Sequence, residues 1–134
     1  MIITATIKNT HQANDITVTT NTNQKEISIP GKAEGRGSSV NGGELLFLAL
    51  ATCFCNDVYR EAAKKSIEID SVEVKVLGEF GKEGEPAKNI TYEVKIESSS
   101  HSQEEIGLFI DEVDKVAEVH NTLRQGVNVS LKLS

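Results

Sequence analysis

The stretch NGGELLFLALATCFCNDVYREAAKKS, residues 41–66, decides the fold. Within it, Leu45 to Cys55 are eleven consecutive residues with no charge and only Thr52 polar. A surface helix carries one apolar stripe, whereas a helix apolar all round is buried on every side. Asn41 and Glu44 make an N-x-x-E capping box at its start, and Lys64 and Lys65 place cations at its carbonyl end. A helix of roughly 22 residues is about 33 Å long, enough to cross a small domain. The apolar run falls short of the ~20 residues that a bilayer needs, so the segment predicts a core helix.

A chain of 134 residues is long enough to bury a core and is expected to form a single domain over 1–134. Its net charge of -6 provides no basic field to attract nucleic acid or an anionic membrane, so neither is an expected partner. Met1 leads directly into the strand-like run Ile2 to Ile7, and no export segment is expected. Cys53 and Cys55, two positions apart on a helix, point about 200° from each other and cannot bridge within the chain. Free thiols without an export segment place the protein in a reducing cytoplasm.

Around the central helix, apolar residues alternate at strand spacing. Ile3, Ala5 and Ile7, then Ile16 and Val18, then Ile27 and Ile29 predict three strands, the last stopped by Pro30. Asn21 to Asn23 is a turn between the second and third. Gly31 to Gly43 is a Gly/Ser loop carrying Arg36, read as a connector or as the rim of a pocket. Beyond the helix, Val72, Val74 and Val76, then Ile90, Tyr92, Val94 and Ile96, predict an antiparallel hairpin around the turn Gly81 to Pro86. Ser102 and Glu105 cap a second helix with Ile106, Phe109, Ile110, Val113 and Val116 on one face. A continuation ends at Gly126, and Val127, Val129, Leu131 and Leu133 predict a final strand.

The resulting order, β-β-β-α-β-β-α-β, is an α+β architecture of helices laid on antiparallel sheet. A helix apolar on all sides needs more cover than one small sheet and one amphipathic helix supply. Packing need therefore predicts a homodimer whose central helices share a buried interface.

Glu44-Leu45-Leu46 leading to Ala51-Thr52-Cys53-Phe54, together with the order of elements, resembles the OsmC/Ohr family of small peroxide-reducing proteins. Asn121 to Val127 resembles the segment that follows this family's second cysteine. The resemblance implies an intertwined homodimer with sites at the subunit interface, no cofactor, organic hydroperoxides as substrates and a thiol as reductant. It also implies a peroxidatic role for Cys53. Other positions depart from the family pattern. Ala117 stands at the resolving-cysteine position, Gly43 at that of the catalytic glutamate with Glu44 beside it, and residues 1–35 hold no arginine.

Cys53, Asn56, Asp57 and Arg60 stand at i, i+3, i+4 and i+7, on one helix face. In a functional reading Arg60, or Arg36 from the glycine loop, draws Cys53 toward thiolate. In a plain reading Asp57 and Arg60 pair with each other, and Asp57 would itself raise a nearby thiol. Cys55 reads as a small core hydrophobe rather than as a resolving thiol, which it could be only toward a cysteine on another chain. Two readings of His120 stand open: a base facing Cys53, or a helix-end histidine beside Asn121. Neither Cys53-x-Cys55 nor the three histidines give metal-ligand spacing, and the glycine loop lacks the residues of a phosphate cradle. Three functions remain open. They are a one-cysteine hydroperoxide reductase served by an external thiol, a module binding a small apolar molecule in a pocket lined by Phe47, Leu50 and Phe54, and Cys–His hydrolysis or group transfer.

Overall fold

The computed structural model describes residues 1–133. In chain order its elements are β1 (Ile3–Thr10), β2 (Ala13–Thr20), β3 (Asn23–Glu26), α1 (Gly42–Lys65), β4 (Ser71–Glu79), β5 (Lys88–Glu97), α2 (Gln103–Lys115) and α3 (Glu118–Gln125). The fold is mixed α+β with antiparallel sheets, as expected. The chain divides into two compact units, the first Met1–Leu45 and the second beginning at Leu46. Among the described residues no helix is long and apolar enough to cross a membrane.

In the N-terminal unit β1, β2 and β3 form an antiparallel meander. Register runs from Ile3 opposite Thr20 to Thr10 opposite Ala13. Asn21, with φ of 53°, turns the chain from β2 into β3, a left-handed conformation that asparagine tolerates. β3 ends at Glu26, so Ile27 and Ile29 lie beyond the strand predicted to include them. The Ile27 amide still donates to the Ile16 carbonyl at 3.3 Å. The glycine loop is tied back by Asn9, whose Oδ1 accepts from the Gly37 amide at 3.1 Å and whose Nδ2 donates to the Gly37 carbonyl at 3.3 Å. It acts as an anchored connector.

The cap predicted for α1 is present. Asn41 Oδ1 accepts from the Glu44 amide at 2.8 Å, and Glu44 Oε1 accepts from the Asn41 amide at 3.0 Å. The Ser102–Glu105 box caps α2 in the same way. β4 and β5 pair from Ser71 opposite Glu97 to Glu79 opposite Lys88, with an irregularity between Leu77 and Glu79. Gly78 sits there, and a Cβ at that position would fall 2.5 Å from the Phe47 ring of α1. Only glycine allows that ring to lie against the strand.

The core of the C-terminal unit gathers Phe54, Val58 and Ala62 from α1, Ile96 from β5, and Ile106, Phe109 and Val113 from α2. Val72, Val74, Tyr92 and Val94 pack against it from the hairpin. These positions on α1 recur at four-residue spacing, so one face of the helix is buried. The expectation of burial on every side is not met within one chain: Leu48 is 59% exposed and Leu45 is also open. Hydrophobicity of a run determines what it prefers to contact, not whether one chain has enough surface to cover it.

The predicted final strand is also absent from residues 127–133. Gly126 ends α3 in the left-handed region, with φ of 63°. From residue 127 to residue 133 the chain has no regular structure, and Val129 is 93% exposed. Alternation supplies a strand's side chains, but a strand also needs a hydrogen-bonding edge, and these residues have none.

Phe54 is fully buried at the centre of the core. Phe54→Ala is expected to cost about 3–5 kcal/mol, as phenylalanine-to-alanine cavities do, read as a lower urea midpoint at unchanged slope.

Candidate functional site

Cys53 lies on α1, partly buried, one turn before Asp57. Helical spacing brings its Sγ to 3.4 Å from Asp57 Oδ2, with the thiol donating. One turn further, the Arg60 guanidinium lies 3.2 Å from Asp57 Oδ1. The same guanidinium reaches across to α3, where Nη1 donates to Glu118 Oε1 at 2.7 Å, while Nε donates to Glu61 at 2.9 Å. Asp57 is almost wholly buried, so its carboxylate depends on these partners.

This geometry works against thiolate formation. Burial pushes the Cys53 thiol up, the Val119 backbone amide opposes that, and the carboxylates of Asp57 and Glu118 push it up further. Arg60 is committed to carboxylates, and its own protonation is held firmer by Glu61 and Glu118. Asp57 is likewise raised, by burial first, although its contacts with Cys53 and Arg60 pull the other way. Activation of Cys53 by Arg60 is therefore not what the charges produce; the Asp57–Arg60 pair is.

The Cys53 sulfur and the carboxylates of Asp57 and Glu118 lie within 4.8 Å of one another, a cluster that sequence spacing did not reveal. Arg60 already bridges both carboxylates, so the cluster holds its countercharge without a metal. Sequence spacing gives Glu118 no part, because its approach to Cys53 depends on where α3 docks. The remaining predicted residues are scattered. Arg36 sits in the glycine loop of the N-terminal unit, and Glu44 is used by the α1 cap. Asn56 is exposed and shares a shallow recess with Cys55, Ala51, Thr52 and Val74. Phe47 stacks on Phe80, ring centroids 5.8 Å apart. Phe54, expected in a pocket wall, is instead sealed in the core.

His120 is buried, only 5% exposed, with its ring against both Phe54 and Tyr92 at centroid distances of 5.6 and 4.6 Å. Neither ring nitrogen has a hydrogen-bond partner. An orphaned buried polar group costs about 1–3 kcal/mol. Burial and the nearby Arg124 lower its pKa, with Asp114 opposing, so the ring is neutral at pH 7. It lines a cleft of about 220 Å³ with Leu50, Val76, Ile90, Tyr92, Leu123 and Arg124. The cleft's other polar groups are engaged: Tyr92 donates to Asp114, and Arg124 Nη2 lies 2.7 Å from Asp114 Oδ1. Arg124 and Asp114 thus belong to the surroundings of His120, a link across α2 and α3 with no signature in sequence spacing.

Asp57→Asn removes the nearer carboxylate and is expected to bring Cys53 down toward the ordinary thiol value, roughly 8.5. The rate of iodoacetamide alkylation against pH reads this directly. His120 makes a second expectation. Its folded pKa lies below the ordinary 6.5, so the unfolded chain binds more protons between the two values. Stability is full above pH 6.5 and falls as the pH drops through that window. In His120→Phe, urea midpoints between pH 7 and pH 5 should lose the part of the slope that His120 contributes.

The model of the family described as OsmC-like protein matches residues 35–132, well over half of the chain. An OsmC-like protein of Mycoplasma pneumoniae is 26% identical over 92% of this chain and 89% of its own, with a TM-score of 0.63. The organic hydroperoxide resistance protein OhrB of Bacillus subtilis is 20% identical over 100% of this chain and 98% of its own, with a TM-score of 0.57. An organic hydroperoxide resistance protein OsmC of Legionella pneumophila is 16% identical over 93% and 92% of the two chains, also at 0.57. No curated protein matches. With the family model covering both the cysteine helix and the segment around His120, the chain belongs to the OsmC-like family.

Proposed function

We propose that the protein is a one-cysteine reductase of organic hydroperoxides, working through Cys53 with an external thiol in the cytoplasm. The observation that supports this most is the placement of Cys53. It is a partly open thiol on α1, beside the first turn of α3, whose Val119 amide favours its charged form.

In the first step the Cys53 thiolate attacks the terminal peroxide oxygen of ROOH, and the O–O bond breaks. Cys53 becomes a sulfenic acid, and the departing alkoxide takes a proton to leave as ROH. With Ala117 in place of a resolving cysteine, an external thiol attacks the sulfenic sulfur and releases water. A second external thiol frees Cys53 and leaves as the disulfide. Arg60, shared among three carboxylates, offsets only part of their charge, and burial with Asp57 and Glu118 leaves the resting thiol protonated. Turnover is slow at neutral pH for that reason.

The protein works as a homodimer in this reading. Support comes from apolar surface that one chain leaves open: Leu48 on α1, a recess among Ile7, Ile16, Ile29, Val40 and Leu45 in the N-terminal unit, and Leu131 near the end of the chain. The family match spans both units, which supports treating them as one functional domain.

Native protein with dithiothreitol is expected to consume cumene hydroperoxide at a rate that climbs as the pH rises past 8, tracking Cys53 ionisation. Cys53→Ser should show none of it. Consumption unaffected by that substitution would remove the proposal. Sedimentation equilibrium should give the mass of two chains.

A further inference from the structure

Charge beside Cys53 acts on whatever approaches the sulfur as well as on the thiol itself. The sulfur and the carboxylates of Asp57 and Glu118 lie within 4.8 Å of one another. Asp57 is almost wholly buried, whereas the Glu118 side chain is 63% exposed. Glu118 is therefore the charge that an incoming molecule meets first. Its own backbone amide, helped by Arg60 against the effect of burial, holds its carboxyl below the usual range, so it is ionised at pH 7. The guanidinium in reach does not cancel this charge. Arg60 is shared among Asp57, Glu61 and Glu118, and Lys64 pairs with Glu61 rather than with either carboxylate beside the sulfur. Both of those carboxylates disfavour negative charge at Cys53.

We propose that Glu118, together with Asp57, makes Cys53 selective by charge: the thiol that reduces it is neutral or amine-bearing, and thiols with a carboxylate near their sulfur are turned away. The choice of reductant rests on the peroxidase reading; the field at the sulfur does not. In the reductive step the incoming thiolate attacks the Cys53 sulfenic sulfur. An S–S bond forms, the S–O bond breaks, and the oxygen leaves as hydroxide that takes a proton to become water. The mixed disulfide then keeps the reductant beside the carboxylates until a second thiolate attacks it, frees Cys53 and leaves as the disulfide. A charge on a small thiol thus stays close to Glu118 through both steps. A pair of unit charges about 4 Å apart changes a rate roughly fivefold even in a water-like medium. Repulsion of that size slows an anionic thiol, and attraction of that size favours a cationic one.

Salt dependence reads the field directly, because added salt screens it while each reagent stays the same. Native protein is labelled with methanethiosulfonates carrying a trimethylammonium, a sulfonate or no charge, and tandem mass spectrometry separates labelling at Cys53 from that at Cys55. Taken against the neutral reagent, raising salt from about 0.1 M to about 1 M should slow the cation and quicken the anion, each about threefold. Turnover of cumene hydroperoxide with reductant limiting should show the same signs for 2-aminoethanethiol and 3-mercaptopropanoate, taken against 2-mercaptoethanol. In Glu118→Gln both salt effects should shrink by about half, since one of two carboxylates is gone. Glu104→Gln is the control. Arg60 reaches the Val116 carbonyl at 3.5 Å, and Glu104 lies about 18 Å back along α2 from there, so its loss should leave both effects unchanged. Salt effects that do not depend on the reagent's charge, or that are equal in native protein and Glu118→Gln, would overturn the proposal. Charge-biased labelling with no hydroperoxide consumed would end the peroxidase reading and the reductant assignment together. Turnover indifferent to the reductant's charge would end this assignment alone.

Discussion

The contact between the Phe54–Val58–Ala62 stripe of α1 and the opposed surfaces of α2 and the β4–β5 hairpin holds the C-terminal unit together. Phe54 and Val58 are fully sealed, and Val113 meets them from α2. Because a helix is stiff, burying these positions fixes where every neighbour on α1 points. Cys53 and Asp57 emerge beside the stripe, and Arg60 falls within reach of Glu118 on α3. The chemistry of the thiol is thus a by-product of packing: its neighbours are whatever the docked helices bring to the rim.

Those neighbours are mostly negative. Two carboxylates lie beside the sulfur, one guanidinium is shared between them, and one backbone amide favours the thiolate. In an energy balance of this kind burial wins, since desolvation penalises the charged form regardless of sign and the single cation is shared among its partners. His120 is the counterpart: a neutral ring, edge-on to Phe54 and tilted against Tyr92, whose polar capacity is unused in the free chain. The two features share one core, one lined with charge and the other mostly with hydrocarbon.

Much of this was legible in the residues themselves. Capping boxes at Asn41–Glu44 and Ser102–Glu105 are local, made between groups three positions apart, and both appear where the pattern put them. The β4–β5 hairpin and the α2 stripe follow from periods of two and 3.6, which backbone geometry imposes on any sequence. Cys53, Asp57 and Arg60 on one face follow from the same rule. Val129 shows where it stops, since alternation without an edge to pair against does not make a strand.

Sequence alone therefore determined the class of fold, the order of elements through α2, the family resemblance and the one thiol worth following. Only the tertiary structure decided what that thiol meets. The approach of Glu118 and Val119 to Cys53, the Tyr92–Asp114–Arg124 linkage, and the isolation of the His120 nitrogens all join residues far apart in the chain. Their distances depend on how α3 docks after the break at Val116 and Ala117, and docking sums many weak contacts that no local spacing records.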